Sequence, residues 1–181
     1  MKNPRRIQND ILEASRDLPG VGICCMSGRM DLLFANIAVV VGEECLVMPC
    51  LIHLEDDYPI SPPNVGFPVH FQYGMGGSSI KDEGPLKGCQ VLCLNITGNF
   101  KDVHDEWASQ VGEGWSPSMS LSGLLVQLQS VLGDMGEALA KEDAAALKRR
   151  LQDFTIQIDD VDTHSFATPH PLGLPRSSEK L

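Results

Sequence analysis

Cysteine is the residue type in this chain with the widest chemical range. A thiolate is both a nucleophile and a leaving group near neutral pH, so it can accept an acyl group and later release it. By residue type alone, most cysteines are expected to be small buried hydrophobic groups. The six cysteines are Cys24, Cys25, Cys45, Cys50, Cys89 and Cys93.

Other kinds of site are disfavoured by spacing. No C-x-x-C pair is present and the five histidines are scattered, so no metal site is predicted. The glycine-rich stretch 74–88 lacks the Gly-Lys-Ser/Thr sequence of a phosphate-binding loop and is predicted to be a mobile loop.

No apolar run reaches the roughly 20 residues that span a bilayer, and the first residues lack an apolar signal core. We therefore expect a cytoplasmic or nuclear protein whose thiols stay reduced.

The charge balance bears on partners. Fourteen basic residues against 24 acidic ones give a net charge of −10, which disfavours nucleic acid and anionic membranes as main partners. Lys2, Arg5 and Arg6 form a basic cluster near the N-terminus. This cluster either docks on an acidic protein surface or is a solvated helix end.

The elements that must position these groups follow from periodicity. Asn3 and Pro4 begin a predicted amphipathic helix, which Pro19-Gly20 ends. Apolar residues alternate from Leu33 to Val41 and again from Leu46 to Leu54, and the short connection makes these two strands antiparallel. Pro49 within the second strand predicts an edge position or a bulge. A third strand is predicted from Val65 to Phe71, which completes a meander.

Helices are predicted for the second half of the chain. Ser118 or Ser120 begins a helix with a leucine stripe from Leu121 to Leu132, and a further helix covers Ala144 to Phe154. The order of helix, antiparallel strands and helices predicts the α+β class. Residues 1–152 are assigned to one core domain and residues 153–181 to a flexible tail, because that last segment has little apolar periodicity.

Three segments, in this order, resemble the ubiquitin-conjugating enzymes. The segment Asp57 to Phe67 (DYPISPPNVGF) is similar to the family's tyrosine-proline loop. The segment Gly88 to Ile96 (GCQVLCLNI) is similar to the stretch around the family's reactive cysteine. The segment Gly114 to Ser118 (GWSPS), with its leucine-rich helix, resembles the family's tryptophan loop. The match covers residues 4 to 133 and implies the family's fold.

The resemblance implies a role for Cys93. In this family a cysteine takes the ubiquitin C-terminus from an activating enzyme as a thioester and passes it to a ligase cysteine or a substrate lysine. Cys93 occupies the matching position and is the expected catalytic residue, while Cys89 is a less favoured alternative. The family needs no bound cofactor, so none is expected.

The resemblance also implies partners: ubiquitin or a ubiquitin-like protein, an activating enzyme and a ligase. By position, Ile60, Pro117 and Ser118 are expected to contact the ligase, and Arg5 and Arg6 to face the activating enzyme. Trp115 is expected to be a packing anchor, and Pro117 also has the structural interpretation of a helix-entry residue.

The chain departs from the family pattern before Cys93. The family's His-Pro-Asn triplet, whose asparagine stabilises the oxyanion during attack by lysine, is missing, and Phe71-Gln72-Tyr73 stands in that region. Gln72, Lys81 or a backbone amide is a possible substitute. Transfer to a thiol should suffer less than transfer to an amine. The alternative function is a catalytically inactive binding module of the same fold, for ubiquitin or for a conjugating-enzyme or ligase partner.

Overall fold

The computed structural model describes residues 3–26, 29–41, 44–73, 77–103, 114–134 and 144–158. The helices are α1 (Pro4–Asp17), α2 (Leu121–Asp134) and α3 (Ala144–Ile158), with a short 3-10 helix at Phe100–Asp102. The strands are β1 (Val21–Met26), β2 (Arg29–Val41), β3 (Glu44–His53), β4 (Asn64–Gly66), β5 (Ser78–Ile80) and β6 (Gln90–Leu92).

Helix α1 begins and ends as its sequence predicts. The side chain of Asn3 accepts a hydrogen bond from the Arg6 amide at 3.3 Å, and Pro4 occupies the first turn, where its missing N–H costs no helical hydrogen bond. The buried face of the helix contains Ile7, Ile11 and Ala14. It also contains a carboxylate, Asp10, which is only 3% exposed and therefore needs partners inside the protein.

The central sheet has the strand order β1-β2-β3-β4, with every pair antiparallel, so the predicted meander is confirmed. In the β2–β3 register, Ala35 lies opposite Cys50 and Ile37 opposite Met48, and all four side chains are buried. The edge position predicted for Pro49 is confirmed. Strand β4 pairs with β3 only at residues 51–53, so among the described strands Pro49 has only β2 beside it.

Helices α2 and α3 cover the core. The predicted leucine stripe is confirmed, and its members are fully buried: Leu121, Leu124, Leu125, Leu128 and Leu132. Ser120, rather than Ser118, caps α2, because its hydroxyl accepts from the Gly123 amide. Pro117 lies four residues before the helix and is not its entry residue. Helix α3 contacts β3 and continues to Ile158, past the expected boundary at 152, while residues 159–181 lie outside the described part.

Four strands differ from the sequence prediction, and one of them, β6 at Gln90–Leu92, has no counterpart in it. Strand β1 was not predicted, although it places Val21, Ile23 and Cys25 on the core face. The strand predicted from Val65 to Phe71 is wrong in length: β4 ends at Gly66, and Phe67 makes an isolated bridge to Gln90 instead. The stretch 74–88 is not simply a loop, because residues 78–80 form β5 against β6.

Candidate functional site

Gln90 organises the chain that leads to Cys93. Its backbone exchanges hydrogen bonds with Phe67 at 2.7 and 2.9 Å, and its side-chain amide exchanges two more with the backbone of Phe71, both at 2.9 Å. The same amide donates to Ser78 Oγ at 3.1 Å. A buried primary amide can satisfy several partners at once, and here it holds the 67–71 segment and β5 on either side of β6.

Cys93 follows β6 directly, and its sulfur-bearing side chain is half-buried. Its amide donates to the carbonyl of Gly77 at 2.9 Å, which continues the β5–β6 pairing by one step. The chain then turns, because the Thr97 hydroxyl and amide both donate to the carbonyl of Leu94, at 2.8 and 3.0 Å. Cys93 therefore stands at the end of a fixed strand with part of its side chain open to solvent.

Cys89, the alternative nucleophile, has a different environment. It is 3% exposed and packs with Leu32 and Leu86 in a small separate cluster. Burial raises the pKa of the Cys89 thiol, which opposes formation of the thiolate. Of the two cysteines, only Cys93 combines exposure with the motif position.

The expectation that most of the cysteines are buried is wrong, because only three of the six are buried. Cys25, Cys50 and Cys89 are buried, Cys24 and Cys93 are half-buried, and Cys45 is exposed. Strand ends account for two of the exceptions, since Cys45 lies at the start of β3 and Cys93 just after β6.

The region before Cys93 contains Tyr73. Tyr73 is half-buried and packs against the main core. Burial raises the pKa of the Tyr73 hydroxyl, and negative charge on Cys93 raises this pKa further.

Lys81 and Gln72, which the sequence offers as possible oxyanion donors, have different surroundings. Lys81 forms an ion pair with Asp102, with Nζ 3.0 Å from Oδ2. Ser79 donates to the carbonyl of the same residue at 3.0 Å, so the 3-10 helix is fastened to β5. Gln72 has an exposed side chain.

Arg5 and Arg6 have unlike surroundings. Arg5 is exposed on α1. Arg6 Nε donates to both carboxylate oxygens of Asp10 at 2.9 Å, and its terminal nitrogen donates to the carbonyl of Met119 at 2.6 Å. Tyr58 also donates to Asp10, at 2.5 Å. Arg6 thus compensates a buried carboxylate and ties α1 to the loop before α2.

The loops that contain Ile60 and Pro117 are brought together. Trp115 Nε1 donates to the carbonyl of Pro59 at 3.0 Å, and the Trp115 ring lies 6.1 Å from that of Tyr58 between centroids. Trp115 is 9% exposed, so it is the expected packing anchor. Ile60 is 71% exposed beside this contact. Pro117 and Ser118 are exposed as well, which gives the two loops one common solvent-facing rim.

This rim is connected to the Cys93 turn through the backbone. The amide of Gly114 donates to the carbonyl of Asn95, two residues after Cys93, at 3.4 Å. A Cβ on Gly114 would lie 2.6 Å from Ile96 and 3.1 Å from Asn95, so glycine is needed for this close approach. The segment 104–113 before it lies outside the described residues.

Within the described part of the chain, no group of three or more His, Cys, Asp or Glu side chains is arranged to hold a metal ion. None of the described helices has the length and apolar character needed to cross a bilayer.

Comparison with known proteins identifies the architecture. No protein-family model matches the sequence. A ubiquitin-conjugating enzyme E2 domain from Toxoplasma gondii superposes with a TM-score of 0.54 and 16% identity, over 86% of this chain and 98% of that one. A ubiquitin-conjugating enzyme E2 from Plasmodium falciparum superposes with a TM-score of 0.50 and 20% identity, over 71% of this chain and 96% of that one. The α+β class and the resemblance drawn from the three motifs are confirmed at the level of architecture: the chain has the fold of the ubiquitin-conjugating enzymes.

Proposed function

We propose that this protein is a ubiquitin-conjugating enzyme that carries ubiquitin as a thioester on Cys93. Support comes from the fold together with one observation: Cys93 is the cysteine of the motif, and it stands partly exposed at the end of β6 while Cys89 is buried. The partners are ubiquitin or a ubiquitin-like protein, an activating enzyme and a ligase.

The reaction proceeds by two acyl transfers. The Cys93 thiolate attacks the thioester carbonyl carbon on the activating enzyme, a new C–S bond forms, and the activating enzyme leaves as its own thiolate. In the second transfer, a ligase thiolate or a lysine amine attacks the same carbon and expels the Cys93 thiolate. Amine attack also releases a proton from nitrogen to solvent. No oxidant, reductant or metal is consumed in either step.

Partner binding is assigned to the exposed rim and to α1. Ile60, Pro117 and Ser118 bind the ligase, because they face solvent on two loops that Trp115 holds together. Arg5 binds the activating enzyme with an unburied side chain. Arg6 contributes mainly by fixing α1, since its guanidinium already engages Asp10 and Met119.

A reconstituted loading reaction tests the proposal. The chain is mixed with ubiquitin, its activating enzyme and ATP, and the products are separated on reducing and non-reducing gels. We expect an adduct that thiols remove, that disappears in Cys93→Ala, and that persists in Cys45→Ala and Cys89→Ala. Failure of the wild-type chain to accept ubiquitin or any ubiquitin-like protein would overturn the proposal and leave the inactive binding module.

A further inference from the structure

Two side-chain amides hold the chain on either side of Cys93. Gln90 precedes this cysteine on β6, and Asn99 follows it at the start of the 3-10 helix. Both side chains are almost fully buried, with exposed fractions of 4% and 2%. A primary amide carries a donor and an acceptor, so it can bond the N–H and the C=O of one backbone residue at the same time.

Both amides bond one short stretch of backbone that begins in β4. Asn99 Oδ1 accepts from the Val65 amide at 3.0 Å, and Asn99 Nδ2 donates to the Val65 carbonyl at 2.9 Å. Gln90 makes the equivalent pair of hydrogen bonds with Phe71, at 2.9 Å each. The span 90–99 is therefore fastened at both ends to the same segment of the chain.

The turn that follows Cys93 is fixed by further hydrogen bonds. The hydroxyl and amide of Thr97 both donate to the carbonyl of Leu94, which closes the turn. The Gly98 amide donates to the carbonyl of Pro63 at 2.9 Å. Pro63 directly precedes β4, so the turn is tied to this strand at one more point.

We infer that Gln90 and Asn99 are positioning residues that align the Cys93 sulfur for acyl transfer. This inference rests on the proposed function. Transfer requires the sulfur to lie at the correct distance and angle to a thioester carbonyl held by another protein, and a displacement of about 1 Å can cost about 100-fold in rate. Each amide acts through the backbone, because it holds one end of the span that carries the sulfur.

Single-turnover loading tests this inference. Wild type, Gln90→Ala, Asn99→Ala and the double variant are mixed with increasing amounts of activating enzyme already charged with ubiquitin. Each single substitution should lower the rate constant at saturation by roughly tenfold or more. The concentration that gives half of this rate should change by less than about twofold, because the binding surface on α1 is unaltered.

Two further readouts separate positioning from a general loss of structure. Alkylation of Cys93 by iodoacetamide should stay within about twofold of the wild-type rate, because a small reagent needs the thiolate but not its alignment. The double variant should load faster than the product of the two single effects predicts, since release of either end already frees the span. An equal fall in loading and alkylation, or two effects that simply multiply, overturns the inference.

Gln129→Ala is the matched control, because it removes a side-chain amide that donates to the Ala38 carbonyl at 3.1 Å and joins α2 to β2. Its loading rate should match the wild type. If Asn99→Ala does not fold, Asn99→Asp, which keeps the acceptor for the Val65 amide and loses the donor, decides the matter by the same criterion.

The failure of this inference differs from the failure of the proposed function. Wild-type loading by folded Gln90→Ala and Asn99→Ala overturns the positioning role and leaves the thioester enzyme intact. Absence of any thioester on the wild-type chain overturns both.

Discussion

The hydroxyl of Tyr58 donates to the buried carboxylate of Asp10 across 2.5 Å, which joins the tyrosine-proline loop to α1. Arg6 binds the same carboxylate and reaches on to Met119, so three separate segments meet at one charge. Burial first, and then the bond to Asp10, raise the pKa of Tyr58, so this donor stays protonated at all ordinary pH values. The loops that present Ile60 and Pro117 are thereby held in a fixed relation to α1.

Removing this carboxylate should destabilise the fold. Asp10→Ala leaves Arg6 and Tyr58 without their shared acceptor, and we expect the free energy of unfolding to fall by about 3 kcal/mol. Urea denaturation monitored by tryptophan fluorescence measures the change. Asp31→Ala is the control, because its pair with Arg29 is partly exposed and should be worth less than about 1 kcal/mol. Equal losses in the two variants would contradict the structural role given to Asp10.

Alkaline pH should weaken the protein through Cys50. Complete burial, with Cys89 as a second cause, raises the pKa of Cys50 from 9.0 to about 12. The folded state then keeps a proton that the unfolded state loses, so stability is complete below pH 9.0 and declines as the pH rises toward 12. The slope approaches about −1.4 kcal/mol per pH unit.

Comparison with Cys50→Ala isolates this contribution. Between pH 8 and pH 10.5, the wild type should lose about 2 kcal/mol more of its unfolding free energy than Cys50→Ala does. Cys45→Ala, which changes an exposed thiol, should keep the wild-type pH dependence. Parallel pH profiles for the wild type and Cys50→Ala would show that the Cys50 proton does not matter.

Thiol accessibility should separate the two cysteines of the motif. Brief treatment of the native protein with iodoacetamide should label Cys93 and the exposed Cys45 well before Cys89 and Cys50, because attack requires an accessible thiolate. Peptide mass spectrometry reads the order, and labelling in denaturant gives the reference in which all sites react. Labelling of Cys89 in the native protein as fast as Cys93 would contradict the assignment of the nucleophile.

The exposed rim should affect transfer and not loading. Ile60→Ala should leave the Cys93 thioester and the stability unchanged but weaken ligase binding about tenfold, or ~1.4 kcal/mol, as expected for an apolar anchor at an interface. Val126→Ala is the matched control, since Val126 is 48% exposed and belongs to α2 rather than to either loop. Equal effects of the two substitutions on ligase affinity would remove Ile60 from the interface.

The long regular elements could be predicted because their patterns are strong. Strands β2 and β3 alternate apolar residues over many positions, and α2 repeats leucine at helical spacing, so burial of one face determines the structure. Strand β1 was missed because it offers only three core-facing residues, and two of its members are cysteines of ambiguous preference. Strand β5 has no apolar pattern from which it could be predicted. It is held in place by its pairing with β6 and by the side-chain amide of Gln90.

The site was predictable only in part. The motif around Cys93 pointed to one thiol. The burial of Cys89, however, depends on Leu32, which is distant in sequence, and on Leu86, which lies on a loop whose course the sequence does not reveal. The position of the Phe71 segment likewise depends on its hydrogen bonds to the side chain of Gln90. Such contacts between neighbouring strands have no periodic signature, so they become visible only once the chain is folded.

The most direct measurement of the central claim is the intact mass of the chain after incubation with ubiquitin, activating enzyme and ATP, followed by peptide mapping of the linkage. The account predicts a gain of one ubiquitin less one water, attached to the peptide that contains Cys93 and removed by excess thiol. A chain whose mass does not change, or an adduct that resists thiol or maps to another residue, would contradict it.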